Sequence, residues 1–423
     1  MNLTAQNTSW NLLLEKKVGR YLGSQVYESD SFYYVVGTSI DTFNTLEQGF
    51  SVSKVSKKDA KLVATKHYEE KGIELDFNYC NNGVLLGNEI YFPQKSRYFP
   101  YFIALYKINL YDLEVYKVIN IPLPEEATSY PFFLYDFNLL ENNFFMLATY
   151  NIGGSTTSTY KGVNILIRYN HQTKISEIIK YTPITAKTVM RKISNLEGNI
   201  ITFGTVVGTQ LATGKMYISK MDEQGNFIWQ YETPSLSPIH NVKDIHPINE
   251  KEVLLASDDT FFDYSKLESL SRWTVTRFDV ENKNIIWSKH WDEPRKPNIW
   301  FFSKIIKTKN EGEYFLMAND YIREDTMSYT TGKIVKFDEE GNRLWQKTYY
   351  YHKGKFYNND FYNIISTQDQ NYLIVGNENV ITAPWLVKID EDGNILPIDT
   401  TSAIADPNIQ NIIPEIKIYP NPA

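Results

Sequence analysis

The sequence predicts an all-β protein: a seven-bladed β-propeller of four-stranded antiparallel blades, with an N-terminal strand closing the last blade. Two observations carry this expectation. A hairpin-and-tryptophan unit recurs as MDEQGNFIWQYETP (221–234), FDVENKNIIWSKHWDEP (278–294), FDEEGNRLWQKTYYY (337–351) and IDEDGNILPIDT (389–400), and 58 residues separate Trp229 from Trp287 and Trp287 from Trp345. A fixed period of this size marks a stacked or radial array. Each unit also parses into four short apolar runs divided by turn residues, and such units close radially with only short edges exposed.

The elements follow in order within a unit. In the last one the strands are FYNIIST, YLIVGN, WLVKID and ILPID, separated by QDQN, ENVITAP and EDGN. The Gly-Asn pairs supply the positive φ of a tight hairpin, and the Asp ahead of them hydrogen-bonds back onto the turn. Sliding this template along the chain gives units at 20–74, 75–128, 129–187, 188–238, 239–297, 298–357 and 358–400. In the last unit Pro397 stands where the others carry Trp, and proline cannot donate to a ladder. The segment TSWNLLLEKK offers the missing strand, with Trp10 at the vacant position. Trp10 to Lys16 is therefore expected to complete the seventh blade. The propeller then spans 8–400, a linker 401–415, and a short tail 416–423.

Composition agrees with strands. The chain has 423 residues, of which 31 are Tyr and 23 Phe, and aromatic-rich sequences favour sheets. With 43 Lys+Arg against 50 Asp+Glu the net charge is -7 and no basic tract appears, which argues against a nucleic-acid partner. Cys80 is the only cysteine, so no intramolecular disulfide or thiolate cluster forms. No apolar run approaches the roughly 20 residues of a spanning helix, PFFLYDFNLL being short and interrupted by Asp136. A monomer is expected.

Two resemblances can now be stated. The pattern Asp-x-x-Gly-Asn-x-Leu-Trp followed by Trp-x-Lys-Thr-aromatic, with WLVKIDEDGN in the last unit, resembles the propeller repeats of secreted Bacteroidota proteins over roughly residues 8–400. The ending IKIYPNPA, with Tyr419, Pro420, Asn421 and Pro422, is similar to the opening of the C-terminal sorting domain of type IX secretion substrates. Such a domain normally continues for some tens of residues beyond this motif. LTAQ near the start is similar to the small-residue tail of a signal peptide. Together the resemblances imply export by a cleaved signal peptide and then by the type IX machinery, ending in release or attachment at the outer-membrane surface.

Antiparallel order puts the turns after first and third strands on one face and those after second and fourth strands on the other. The first set is short and polar; the second is long and aromatic, as in YFPQKSRYFPYF and DDTFFDYSKLESLSRW. Function is expected on the long-loop face. There Tyr91, Tyr98, Tyr101, Phe261, Tyr264, Trp273, Tyr321 and Tyr329 would offer amphipathic platforms for a polysaccharide or a surface protein, or would pack the loops against neighbouring blades.

The candidate chemistry is thin. No H-E-x-x-H, G-x-S-x-G, P-loop or G-x-G-x-x-G occurs, and no catalytic residue, cofactor or metal is expected. The Asp-rich turns lack the Gly and Glu spacing of an EF-hand. They resemble the turns of sialidases and the Trp-docking turns of quinoprotein dehydrogenases within the turn only. Asp258, Asp259, Asp263, Glu324 and Asp325 populate the long-loop face, where a carbohydrate-active enzyme would need a converging pair. His240 and His246 flank the first strand of blade five, with surface or packing roles expected. The axial channel is lined by first strands, so Asp136, Arg191, Lys192, Lys243, Asp244 and Lys304 are expected at its mouth. A non-enzymatic binding module is the leading expectation. A glycoside hydrolase or lyase and a structural spacer are the alternatives, since propellers host all three roles.

Overall fold

The computed structural model describes residues 9–14, 20–40, 48–74, 83–96, 99–127, 129–151, 162–181, 188–206, 215–233, 241–263, 268–292, 303–324, 327–351, 359–378 and 383–398. They form seven antiparallel sheets arranged as a β-propeller. Blade 1 holds Arg20–Glu28, Phe32–Ile40, Gln48–Ser56 and Leu62–Tyr68. Blade 3 holds Ser129–Leu140, Asn143–Asn151, Gly162–Asn170 and Ser176–Tyr181. Blade 4 follows with Thr188–Leu196, Asn199–Val206, Lys215–Met221 and Phe227–Glu232. Blade 5 has Asn241–Pro247, Glu252–Asp263, Glu268–Asp279 and Asn284–Lys289. Blade 6 has Lys304–Lys307, Glu313–Glu324, Met327–Asp338 and Arg343–Tyr349.

Blade 2 departs from the template. Its strands Glu89–Ser96, Phe102–Asn109 and Val115–Pro122 are regular, but its inner edge is built from two pieces. Val84 pairs with Tyr91, while Ile73 and Glu74 pair with Ser96 and Lys95. The blade therefore reaches back past residue 75, the boundary the repeat suggests.

Blade 7 closes as expected. Asn359–Ser366, Tyr372–Glu378 and Ala383–Ile389 supply three strands, and Asn11–Leu13 pairs antiparallel with the third. The outer strand is composite. The C-terminal chain enters it first, with Leu396 N–H donating to Lys388 C=O; Trp10 then takes over, its N–H donating to Leu396 C=O and its own C=O accepting from Lys388 N–H. Trp10 thus sits opposite Lys388 as Trp229 sits opposite Lys220 and Trp345 opposite Lys336. Its buried ring meets Tyr33 of blade 1 edge-on at 5.6 Å and lies 5.3 Å from the Lys388 ammonium. Of the expected segment, residues 15 and 16 lie outside the described ones.

The repeated tryptophans explain the repeated turns. Trp287 Nε1 of blade 5 donates to Glu339 C=O in the turn of blade 6 at 2.9 Å, and Trp291 Nε1 donates to Gly341 C=O at 3.2 Å. Tyr349 of blade 6 donates to Gly393 C=O of blade 7 at 2.7 Å. Each turn is pre-formed by its Asp, whose Oδ1 accepts the N–H of the Asn four residues on: 2.8 Å in Asp222–Asn226 and 2.7 Å in Asp338–Asn342 and Asp390–Asn394. Glycine is required twice over at 341 and 393. Their φ values are 79° and 74°, and a Cβ would fall 2.8 Å from Lys289 and 2.6 Å from the Trp345 ring. A hairpin turn of one blade is thereby a knob on the outer strand of the blade before it.

Apolar clusters fill the space between neighbouring blades, such as Trp385, Phe361 and Tyr351 between blades 6 and 7. Because closure carries the interface between blades 7 and 1, Trp10→Ala is expected to lower stability by about 3–5 kcal/mol, as for other buried aromatics. The half-buried Trp229→Ala should cost clearly less. Urea midpoints with unchanged slopes check both.

Candidate functional site

The first strands face the propeller axis, and a recurrent irregularity shapes what they present. Bulges interrupt their pairing between Gly23 and Gln25, Leu134 and Asp136, Met190 and Lys192, Val242 and Asp244, and Phe361 and Asn363. A bulge adds one residue and re-aims those after it. Beyond it, Gln25, Asp136, Lys192, Asp244 and Asn363, joined by Lys304 of blade 6, line an axial cavity of about 390 Å³. Two residues further along each strand come Tyr27, Asn138, Ser194, His246, Ile306 and Ile365, a second tier nearer the short-turn face. The residues between the tiers, including Val26, Phe137, Ile193 and Ile305, belong to the apolar clusters between blades.

Four of the six charged groups expected at the channel are there. The other two, Arg191 and Lys243, occupy the extra position of a bulge. The Arg191 guanidinium lies 4.7 Å from the Tyr135 ring centre, and Lys243 lies 3.4 Å from the Asp258 carboxylate. Sequence reasoning missed Gln25 and Asn363, although each is a polar residue inside an apolar first strand at the same repeat position.

Going round the axis the described upper tier reads Gln25, then Asp136, Lys192, Asp244, Lys304 and Asn363, so among the described residues charge alternates through blades 3 to 6 and balances. Asp136, Asp244, Lys304 and Asn363 each reach the next blade. Asp136 lies 3.6 Å from Lys192 Nζ and accepts Ile193 N–H at 2.9 Å. Asp244 accepts Ile305 N–H at 2.7 Å, Lys304 Nζ donates to Asn363 Oδ1 at 2.6 Å, and Asn363 Nδ2 donates to Gln25 Oε1. Burial raises the pKa of Asp136 and Asp244, with Lys192 acting against it at both, and burial lowers that of Lys304. Burial, with Lys307 and Lys304 nearby, pushes His246 down to about 4, so its ring is neutral at pH 7; it meets Tyr314 edge-on at 5.7 Å. The cavity is more open beside blades 5 and 6, where Asp244, His246 and Lys304 are half-buried, than beside Asp136 and Lys192, which are buried.

The long-loop aromatics are dispersed. Tyr91 is buried near the short turn of blade 2, its hydroxyl on Glu89 at 2.7 Å and its ring 4.8 Å from Phe144. Trp273 is buried between blades 5 and 6, its Nε1 donating to Asn319 C=O at 3.0 Å. Tyr329 is buried as well. Tyr101 is half-buried and meets Phe99 edge-on at 6.0 Å; Phe99, not singled out from the sequence, is 64% exposed on the long-loop face. Phe261 and Tyr321 lie on strands, paired with Leu270 and Thr330, and their side chains fall outside the described residues. Tyr98, Tyr264 and the motif Tyr419–Pro422 lie outside them altogether. Among the described residues, no three His, Cys, Asp or Glu side chains are grouped to hold a metal, and no helix is long and apolar enough to cross a membrane.

No protein-family model matches this chain, and no curated protein does. Solved propellers resemble its course. The β-propeller domain of the Trilobed protease from Pyrococcus furiosus is 9% identical over 90% of this chain and 98% of that one, with a TM-score of 0.48. A putative 6-phosphogluconolactonase from Bacteroides fragilis is 9% identical over 88% and 95%, at 0.49. An acylaminoacyl peptidase from Pyrococcus horikoshii is 9% identical over 89% of this chain, at 0.48; the chain spans 52% of that protein. These likenesses concern the chain course and assign no chemistry here.

Two outcomes follow from the axial ring. Lys192→Met removes a cation from a buried pair and should cost about 3–5 kcal/mol, part of which Asp136→Asn in the same chain restores. His246 binds its proton less readily folded than unfolded, so protonation opposes folding, and stability falls as pH drops from about 6.5 to about 4. His246→Asn should flatten that decline by about 2 kcal/mol, allowing for partial exposure. The raised carboxylates act in the opposite sense, so the comparison is made between variant and parent across the same pH range by denaturant titration.

Proposed function

We propose that this propeller is an exported binding module, carried at the cell surface or released, that holds a neutral polysaccharide on its long-loop face with a sugar residue entering the axial cavity. The observation that carries this reading is the polar ring at the axis, whose charges balance among the described residues. A sugar needs a cluster of fixed donors and acceptors with no net field, and Gln25, Asn363, Lys304 and Asp244 supply one. Glycosidic hydrolysis needs two carboxyl groups free to serve substrate as acid and base or nucleophile. Among the described residues, the axial carboxylates Asp136 and Asp244 already accept a backbone N–H from the next blade, which favours binding over bond cleavage. The exposed Phe99 ring beside Tyr101 supplies an apolar platform on the same face as the long loops. Export rests on the similarity of Tyr419-Pro420-Asn421-Pro422 to a type IX sorting motif.

Native electrophoresis of the full chain through gels carrying neutral glucans, mannans and xylans, with an acidic polymer for contrast, tests the reading. Retardation in a neutral gel without loss of polymer is expected, and Phe99→Ala should weaken it roughly tenfold. Cleared zones would replace binding with hydrolysis. Unchanged mobility in every gel would remove carbohydrate and leave a surface protein as the partner to seek.

A further inference from the structure

A separate constellation occupies the long-loop end of blade 1. Ser39, Ser51 and His67 stand on its second, third and outer strands, with Ser51 directly opposite His67 in the ladder. Ser39 Oγ lies 2.6 Å from Nδ1 of His67. Ser51 Oγ donates to Ser39 Oγ at 2.8 Å and lies 3.2 Å from the same nitrogen. On the far side of the ring, Nε2 lies 2.7 Å from Glu69 Oε1.

Chemistry fixes the direction of these bonds. A carboxylate accepts from Nε2–H, and in the tautomer that this bond selects the imidazole offers its lone pair at Nδ1. Ser39 O–H therefore donates to Nδ1, and Ser51 O–H donates to the Ser39 oxygen. Other blades place hydroxyls in cross-strand pairs that lack a base in contact, such as Thr202–Ser219 at 2.6 Å and Thr276–Ser288 at 2.9 Å. In blade 1 an imidazole oriented by a carboxylate faces the hydroxyl instead. Nucleophile, base and orienting acid within hydrogen-bond reach is the arrangement that activates a serine.

We propose that Ser39 is a nucleophile with His67 as its general base and Glu69 as the positioning residue that fixes the tautomer, and that the site hydrolyses short-chain carboxylic esters. Ser39 Oγ bonds to the ester carbonyl carbon as its proton passes to His67 Nδ1. The ester C–O bond then breaks, and the leaving alcohol takes that proton. Water attacks the acyl-serine, giving one proton to His67, which returns it to Ser39 Oγ as the acid departs. Ser51 O–H stabilises negative charge on the Ser39 oxygen in both steps. The chain length of the acyl group follows from access. Ser39 is 1% exposed, whereas the His67 and Glu69 side chains keep 18% and 23%, so substrate arrives alongside the imidazole. Room there is narrow: a Cβ on Gly49 would lie 2.9 Å from His67 Cε1 and 2.0 Å from Tyr68 C=O. Neither the axial cavity nor Phe99 takes part, so this site stands or falls apart from the binding reading.

The full 423-residue chain is incubated with p-nitrophenyl acetate, and acetylated residues are located by peptide mass spectrometry. Hydrolysis above the solvent rate with a transient acetyl group on Ser39 is expected. Ser39→Ala should abolish it, and His67→Gln should lower the rate by about 10²–10⁴-fold. Glu69→Gln should also lower it, with Glu69→Asp recovering part, a rescue that a packing role alone would not produce. Acetylation elsewhere, its absence from Ser39, or an unchanged rate in His67→Gln would overturn the proposal. Should Ser39→Ala fail to fold, a fluorophosphonate on the native chain decides alone: label on Ser39 supports the site and its absence overturns it.

Discussion

Ring closure is the constraint on which the molecule depends. Each blade buries both faces only because a neighbour covers it, and the last blade has a neighbour only if the ends of the chain meet. The composite outer strand of blade 7 achieves this, and the seam beside it is dense. Gly23 N–H of blade 1 donates to Asn377 Oδ1 of blade 7 at 2.8 Å, Lys388 Nζ donates to the Tyr33 hydroxyl at 2.9 Å, and Asn363 Nδ2 donates to Gln25 Oε1 across the same seam. Trp385 Nε1 donates to Asn11 Oδ1 at 2.6 Å, so the closing strand is held by a side-chain bond as well as by its ladder. A closing strand of three paired residues has little ladder of its own, and its hold comes from buried Trp10, Leu12 and Leu13.

The same logic explains why polar residues are buried throughout. Asn319 of blade 6 accepts Phe361 N–H at 2.7 Å and donates to Phe361 C=O at 2.9 Å, matching both groups of a first-strand residue in blade 7. Asn164 of blade 3 donates to Thr188 C=O of blade 4 at 2.9 Å. Nearer the axis, Asp136 and Asp244 accept the N–H of Ile193 and Ile305 in the next blade. A first strand has a partner on one side only, and bulges free still more of its backbone groups. Buried amides and carboxylates of the preceding blade satisfy them, avoiding the cost of an unpaired backbone group. These side chains set the angle and height of one blade against the next, which apolar packing alone specifies loosely.

Much of this was legible in the sequence because it repeats. The Asp, Asn and Trp shared by units four to six announced both the hairpin and its period, and the proline at 397 pointed to Trp10. The axial charges were legible because they sit in first strands of known order. What escaped was everything that depends on convergence between blades or on exact register. Gln25 and Asn363 touch although most of the chain separates them. Arg191 and Lys243 leave the axis because of a one-residue bulge, which the alternation of apolar and polar residues does not signal. Tyr91, Trp273 and Tyr329 read as loop-face aromatics, yet Tyr91 lies at the short-turn end of its strand, and the long strands of blades 5 and 6 carry Trp273 and Tyr329 into buried positions. Ser39, His67 and Glu69 carry no local motif, since their meeting is set by the pairing of three strands.

The axial ring is a scaffold element and, in the function proposed above, a binding surface, and the two roles are compatible for a physical reason. A buried charge is tolerable when a counter-charge and fixed hydrogen bonds replace its water. The alternation of Asp136, Lys192, Asp244 and Lys304 meets that need from blade to blade, with these four charges in balance. A charged ligand would have to break the balance, whereas a neutral polar one exchanges water for oriented donors and acceptors. The half-buried side beside blades 5 and 6 is where such an exchange is least costly, because Asp244 and Lys304 still retain contact with solvent there. The fold therefore leaves solvent-accessible polar groups where the cavity is more open, and a buried pair, Asp136 with Lys192, where the blades pack closely.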